Sequence, residues 1–272
     1  MPDFLHIVPE PVLRLLVFLS IFGTMAIFEL VSPRLARPEM TGALRSRRWL
    51  TNFALVIIST IVLRIVFPAA AVGAAAWAAS SGVGVFNSIV VPTWIAGLVA
   101  FLVLDFAVWL EHVASHKIPV LWSIHRVHHS DSGFDVSTAL RFHPLEIVLS
   151  MIWKAGIVVA LGAPVWAVLL FEVVLNGAAM FNHANARLPN RLDQLLRLVI
   201  VTPDMHRTHH SIIRAETDSN YGFNLTWWDR MFSTYRHAPA AGEGGVVIGM
   251  EEFRSKPLRS FVALLALPFR RK

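Results

Sequence analysis

Two copies of one six-residue phrase contain six of the twelve histidines in this chain. The first copy, at 125–130, reads HRVHHS, and the second, at 206–211, reads HRTHHS. A further pair, His112 and His116, is spaced i and i+4 just before the first copy. Because residues three and four apart share a helix face, each phrase is predicted to direct three imidazoles at one point, and the pair can face the same place as the first phrase.

This clustering predicts metal binding. A lone histidine usually caps a helix or is solvated at the surface, but crowded imidazoles repel each other when protonated and leave polar nitrogens unpaired when neutral. A bound cation removes both costs. Eight ligands exceed what one ion accepts, so two ions are expected, and imidazole ligands alone suit zinc, copper, iron or nickel equally.

The composition is typical of an integral membrane protein. Hydrophobic residues make up 55% of the 272 positions and charged residues only 15%, with a mean hydropathy of +0.58. Cysteine is absent, which excludes disulfides, cysteine-ligated iron–sulfur clusters and thiolate-held haem or zinc within this chain. No cleavable signal peptide is evident. The net charge of +6 comes from arginines beside apolar runs, which favours lipid headgroups as their partners over nucleic acid.

The apolar runs predict an all-α membrane protein with four to five transmembrane helices and a helical cap that holds the dimetal site. Spans are predicted at 12–31, at 50–67 with an alanine-rich continuation to 80, at 94–110, and in a hairpin at 145–181 that is transmembrane or half-inserted. We divide the chain into N-terminal spans at 1–94, a histidine-rich catalytic domain at 95–240 and a tail at 241–272. Residues 261–269 are too short to span and are predicted to be an interfacial anchor.

The charge distribution predicts the orientation. The loop after the first span carries Arg34, Arg37, Arg45, Arg47 and Arg48. The positive-inside rule places that loop, and with it the histidines, in the cytoplasm and the N-terminus outside. In a bacterium the membrane would be the inner one.

Two polar stripes lead from the predicted spans towards the histidines. Asp105 shares a helix face with His112 and His116, and Glu172 and Asn176 share one with His183. These stripes are either satisfied buried networks or the wall of a substrate pocket, for which Asp105, Glu172 and Asn176 are the candidates. Lys154 and Glu172 fall at similar depth on the two hairpin helices and are expected to neutralise each other.

The histidine pattern resembles the fatty acid hydroxylase and sterol desaturase superfamily of membrane oxygenases. The order H-x3-H, H-x2-H-H, H-x2-H-H carries the resemblance, which covers roughly residues 95–237 and includes Asn220-Tyr221-Gly222 and Trp228-Asp229. It implies a non-haem di-iron centre that uses O2 to hydroxylate or desaturate a lipid, whether fatty acyl, sterol or related isoprenoid. The implied catalytic ligands are His112, His116, His125, His128, His129, His206, His209 and His210.

His183 is predicted to be a ninth metal ligand. It follows its apolar helix as His112 follows the third span, and members of the superfamily can carry a further histidine pair there. The residue four positions on is Arg187, which cannot bind a metal, so one ligand position would be left open or filled by water. The alternative is that His183 only caps its helix or binds a headgroup.

The resemblance also implies an external source of two electrons per turnover. This chain has neither cysteine nor a G-x-G-x-x-G motif, so a separate ferredoxin- or cytochrome-type donor with its reductase is expected as a partner. Two other functions remain open at this point: a membrane hydrolase that uses zinc-bound water, and a metal-binding membrane protein or transporter without redox chemistry. Transporter sites usually lie near the bilayer midplane, whereas these histidines cluster at one surface.

Overall fold

Fourteen α-helices and four short 3-10 helices form the part of the chain that the computed structural model describes, residues 10–36, 38–253 and 257–270. The α-helices are α1 Glu10–Val31, α2 Gly42–Val66, α3 Ala70–Ser81, α4 Val85–Ser88, α5 Thr93–Lys117, α6 Pro119–His129, α7 Pro144–Leu161, α8 Val165–His183, α9 Asn190–Leu196, α10 Pro203–His209, α11 Arg214–Thr217, α12 Trp227–Met231, α13 Gly242–Gly245 and α14 Phe261–Leu265. The 3-10 helices are Pro38–Met40, Val136–Leu140, Glu251–Phe253 and Leu267–Phe269. No β-strand occurs among these residues, which confirms the all-α prediction.

Five segments are long and apolar enough to cross a membrane: Val12–Val31, Gly42–Ser88, Thr93–Lys117, Pro144–Leu161 and Val165–His183. They confirm the predicted integral membrane fold. Helix α2 begins eight residues earlier than position 50, and α5 runs without a break through the His112/His116 pair. Residues 1–9, which contain the N-terminus predicted to lie outside, and Arg37 are not among the described residues.

Small residues let the spanning helices pack closely. Ala71 and Ala75 of α3 and Ala100 of α5 are buried together against Leu104 and Phe171. Close approach of this kind replaces the hydrophobic effect as the driving force between helices in lipid. The packed bundle therefore gives α5, α7 and α8 fixed positions, and of these helices α5 carries His112 and His116 while α8 ends at His183.

The two apolar helices predicted on either side of Gly162-Ala163-Pro164 form as α7 and α8. His143 is the N-cap of α7 and accepts a hydrogen bond from the Leu145 amide, with Pro144 at the first helical position. Gly162 ends α7 in a left-handed conformation with a φ of 64°, which glycine adopts without a steric penalty. The expected Lys154–Glu172 pair does not form, because Glu172 faces α1 and accepts a hydrogen bond from Arg14 at 2.6 Å.

Buried ion pairs attach the first histidine phrase to the beginning of α2. The guanidinium of Arg48 donates to both carboxylate oxygens of Asp131 at 2.7 and 2.8 Å and to Asp135 at 2.9 Å. Although burial alone would raise the pKa of Asp131, Arg48 holds it well below its ordinary value. Arg141 adds bonds to the Val127 carbonyl and the Ser130 hydroxyl. Arg48, which the charge distribution assigned only to membrane orientation, thus also fixes the segment that bears the ligands.

We expect Arg48→Met to lower the free energy of unfolding by about 3–5 kcal/mol, because it leaves Asp131 and Asp135 buried without their cation. Arg47→Met is the matched control, since Arg47 is the exposed neighbour on the same helix. Thermal unfolding of the detergent-solubilised variants measures the difference. Equal midpoints for the two variants would contradict this role for Arg48.

The C-terminal tail packs onto the helices beside the site. Leu264 and Leu267 are fully buried against Leu55 of α2 and Val127 of α6, and Arg126 donates to the Leu267 carbonyl at 2.8 Å. Val262 and Phe269 remain exposed on the outer face. The tail is therefore part of the fold, and its apolar outer face stays compatible with the predicted interfacial anchor.

Candidate metal centre

The structure brings all nine predicted ligands into two adjacent groups. The first contains His112, His116, His125, His129 and His209, and the second contains His128, His183, His206 and His210. Within each group the candidate ligand nitrogens lie within 4.8 Å of one another, and all nine residues are buried. The rings of His129 and His210 stack at 4.4 Å, which places the two groups side by side.

Each phrase contributes to both groups, in contrast to the prediction that its three imidazoles meet at one point. His125 and His129 are four residues apart on α6 and differ by only about 40° around the helix, whereas His128 lies about 100° from His129. His128 therefore faces the second group. In the second phrase His209 likewise turns towards the first group, while His206 and His210 stay in the second.

Hydrogen bonds from Nδ1 orient four of these nine rings. Nδ1 of His112 donates to the Tyr221 carbonyl, Nδ1 of His209 to the Ser219 carbonyl and Nδ1 of His183 to the Ala179 carbonyl, each at 2.7 Å. Nδ1 of His125 contacts Glu146 Oε1 at 2.5 Å. A proton held on Nδ1 leaves the lone pair of Nε2 free, and this is the usual arrangement of a metal-binding histidine.

The Nε2 atoms approach one another as ligands of a shared ion would. His112 and His129 each place Nε2 at 3.2 Å from Nε2 of His125. In the second group His183 Nε2 lies 3.1 Å from His128 Nε2 and 3.0 Å from His206 Nε2. Two nitrogens about 2.1 Å from one ion and at right angles to each other are separated by about 3.0 Å. The residues therefore fit two metal ions.

Burial favours the neutral form of five of these imidazoles, and metal binding requires the neutral form. Burial, together with repulsion from neighbouring imidazoles, lowers the pKa of His128, His129, His206 and His210. Burial also lowers the pKa of His209 to about 3. Nε2 atoms of three buried histidines have no hydrogen-bond partner among the described residues: His116, His209 and His210. Such atoms are costly unless an ion occupies the space between them.

A single carboxylate holds the loop that supplies the Tyr221 carbonyl. Asp229 accepts hydrogen bonds from the amides of Tyr221 and Gly222 at 2.9 and 2.8 Å and from the Trp109 indole at 3.1 Å. Burial raises the pKa of Asp229, and these donors lower it in part. Residue spacing alone did not single out Asp229 or Glu146 for these roles. The family resemblance includes Asn220-Tyr221-Gly222 and Trp228-Asp229 but assigns them no role.

A mainly apolar cavity of about 200 Å³ adjoins the first group. His112 and His125 form part of its wall, together with Glu111, Asn176 and apolar side chains of several spanning helices. A second cavity of about 340 Å³ shares Glu111, Ser115 and Glu146 with the first. An elongated apolar molecule could therefore reach the histidines from the side of the bundle.

Of the three predicted pocket residues, only Asn176 lines this cavity. Asp105 instead accepts a hydrogen bond from the Trp228 indole at 2.8 Å and one from the Leu225 amide at 3.3 Å, so it anchors the cap to α5. Glu172 instead pairs with Arg14 of α1. Asp105 and Glu172 each share a helix face with histidines, but neither lines the cavity. The packing of the surrounding helices determines which side chains face it.

Comparison with protein families gives one match over the histidine region. The model for the fatty acid hydroxylase family matches residues 97–234, which is half of the chain. All nine candidate ligands lie inside this range.

Three relatives show the range of similar proteins. Ornithine lipid hydroxylase OlsE of Rhizobium tropici is 29% identical over 175 residues, 64% of this chain and 50% of that protein. Human alkylglycerol monooxygenase is 31% identical over 148 residues, 53% and 30% of the two chains. Rat cholesterol 25-hydroxylase is 27% identical over 144 residues, 52% and 47% of the two chains. The matches thus span half or less of each relative, and no solved structure matches the chain.

Proposed function

Because this chain belongs to the fatty acid hydroxylase family, we propose that it is a membrane-bound di-iron oxygenase that hydroxylates a lipid with O2 and external electrons. The observation that carries the proposal is the pair of buried histidine groups beside an apolar cavity among spanning helices. The names of the relatives, which concern ornithine lipids, alkylglycerols and cholesterol, support a lipid as the substrate class.

Iron ions held by the two groups would supply the redox chemistry for O2 activation. Hydroxylation of one C–H bond consumes O2, two electrons and two protons and releases one water, so an electron donor must dock on the protein. The residues of the chain hold the metals and present the lipid. Glu146 and the carbonyls of Tyr221, Ser219 and Ala179 fix the ligand rings, and the apolar cavity wall keeps bulk water from the reacting carbon.

The second cavity supports lateral entry of the lipid from the bilayer. Leu110, Leu149 and Trp153 line it, and each is 40–45% exposed on the lipid-facing surface of α5 and α7. A lipid that enters between these helices reaches Glu111 and Glu146, where the two cavities meet. It then lies next to His112 and His125 without leaving the apolar layer.

Metal and oxygen analysis of the purified protein tests this function. We expect two irons per chain, and O2 uptake that depends on both reductant and an added lipid extract. The His128→Ala variant is the control for O2 consumed by free iron. Two zincs that cannot be exchanged for iron without loss of activity would instead indicate a hydrolase.

The orientation of the site is proposed to be cytoplasmic, on the evidence of the arginines after α1. The cysteine-free chain allows a direct test with single cysteines at exposed positions. A membrane-impermeant thiol reagent should label Ser81→Cys from outside intact cells and Ala240→Cys only after the membrane is permeabilised. Labelling of Ala240→Cys in intact cells would reverse the assignment.

A further inference from the structure

Lys154 is a cation near the middle of the membrane-spanning helix α7, and it lines the cavity beside the first histidine group. Among the residues that the structure describes, its ammonium forms neither a hydrogen bond nor an ion pair. A charged side chain at this depth is costly, and such residues commonly face an interior cavity where they bind a ligand. The absence of a fixed partner leaves its three N–H groups available to a molecule in the cavity.

An acceptor faces the same space. The carboxylate of Glu111 interacts electrostatically with Lys154 and accepts a hydrogen bond from the Ser150 hydroxyl at 3.1 Å. Glu111 and Ser150 both line the cavity, and most of the remaining wall is apolar, including Leu175 and Phe223. Lys154, Glu111 and Ser150 therefore bring hydrogen-bonding groups into a mainly apolar cavity.

We infer that Lys154 and Glu111 form a subsite for the hydroxyl group of the lipid substrate. The hydroxyl oxygen accepts a hydrogen bond from Lys154 Nζ, and its proton is donated to the Glu111 carboxylate. This inference rests on the proposed function only in taking the cavity as the place where the lipid binds.

The hydrogen-bonding groups of the subsite favour a hydroxyl. A hydroxyl can accept a hydrogen bond from Lys154 and donate its own proton to Glu111. A ligand carboxylate has no proton to donate to Glu111, and a ligand ammonium group has no lone pair to accept from Lys154. A methyl ether accepts from Lys154 but has no proton for Glu111.

The position of the subsite limits where the lipid is oxidised. Glu111 directly precedes His112, and Ser150 lies one helical turn, about 6 Å, from Glu146, which contacts His125. The bound hydroxyl therefore lies about one turn from the first histidine group. The carbon that is oxidised must lie within a few bonds of that hydroxyl.

Ligand binding without turnover tests the subsite. The full chain with its metals, in detergent micelles and without reductant, is incubated with tritiated hexadecan-1-ol. Unlabelled hexadecan-1-ol, 1-methoxyhexadecane and hexadecanoate then compete for the site. We expect hexadecan-1-ol to displace the label at about tenfold lower concentration than either competitor, as the loss of a hydrogen bond to a charged group predicts.

Two variants assign this preference to the subsite. Lys154→Met should weaken hexadecan-1-ol and its methyl ether alike, by about tenfold, because both accept a hydrogen bond from Nζ. Glu111→Gln, which replaces the carboxylate by a neutral amide, should bring the two compounds to within about twofold of each other while the metal content stays at the wild-type level. Arg64→Met is the matched control, because it removes an exposed cation from an apolar helix and Arg64 does not line the cavity.

Equal displacement by all three compounds, an unchanged affinity for hexadecan-1-ol in Lys154→Met, or an unchanged preference for the alcohol over the ether in Glu111→Gln would overturn the inference. Preferential binding of hexadecanoate would do the same and would indicate an anion site. The outcome is independent of the proposed function. If the protein prefers the alcohol but consumes no O2, the subsite is supported and the proposed function is contradicted. If O2 uptake depends on lipid but the alcohol is not preferred, only the subsite is contradicted.

Discussion

His128→Ala and His209→Ala are each expected to lose about one metal equivalent and to lower turnover at least a hundredfold. The two histidines belong to different groups, and both are fully buried. Mutation of a residue that only supports a metal ligand already costs about ten- to a hundredfold in metal affinity or activity, so loss of a ligand should cost more. His128 and His209 also sit among ligands that are held in place, so no neighbouring imidazole is free to substitute.

Metal content by mass spectrometry and O2 uptake measure this effect. His237→Ala is the matched control, since His237 is exposed and lies outside both groups. The informative result is which of the two metal sites each variant loses. His128→Ala should empty the site that includes His183, and His209→Ala the site that includes His112. Two retained metals and full turnover in either variant would refute the two-group arrangement.

His183→Gln is expected to remove at least one metal equivalent or most of the activity. Its Nε2 lies between those of His128 and His206, at 3.1 and 3.0 Å, and its Nδ1 is already bonded to the Ala179 carbonyl. The second group has four histidines, so the loss of His183 leaves three. A glutamine amide has a carbonyl oxygen and no imidazole nitrogen, and it cannot reproduce this geometry.

His143→Gln provides the comparison in the same assays. His143 caps α7, and its Nε2 contacts the Leu265 carbonyl at 3.2 Å, so its loss should lower the unfolding temperature but spare both metals. If the two variants lose metal equally, or if His183→Gln keeps both ions and full turnover, His183 is not a ligand.

The spans and the set of clustered histidines were accessible from the sequence because both depend on local periodicity. Apolar length predicts a spanning helix, and i, i+3 and i, i+4 spacing predicts that histidines lie near one another. His183 was accessible as well, because it ends an apolar helix as His112 does.

The distribution of ligands between the two ions depends on how α6 and α10 pack against α5 and α8, which residue spacing does not specify. The same dependence on helix packing explains why the predicted pairing of Lys154 with Glu172 was wrong. Equal depth on adjacent helices suggested a pair, but α8 turns Glu172 towards Arg14, and Lys154 faces the cavity instead. Rotation about the helix axis is a property of the whole bundle.

His128 and His209 each belong to a different group from the other two histidines of their phrase. This arrangement affects the order in which the two metal sites can assemble. The repeated phrase is not a pair of independent metal-binding modules, because the second group takes one ligand from before the α7–α8 hairpin and three from its end and beyond. During synthesis the emerging chain therefore cannot complete this site until α10 has been made. Each ion links segments that are about 80 residues apart, and because the unfolded chain lacks the assembled site, metal binding stabilises the folded state. We therefore expect loss of metal to loosen the cap from the bundle.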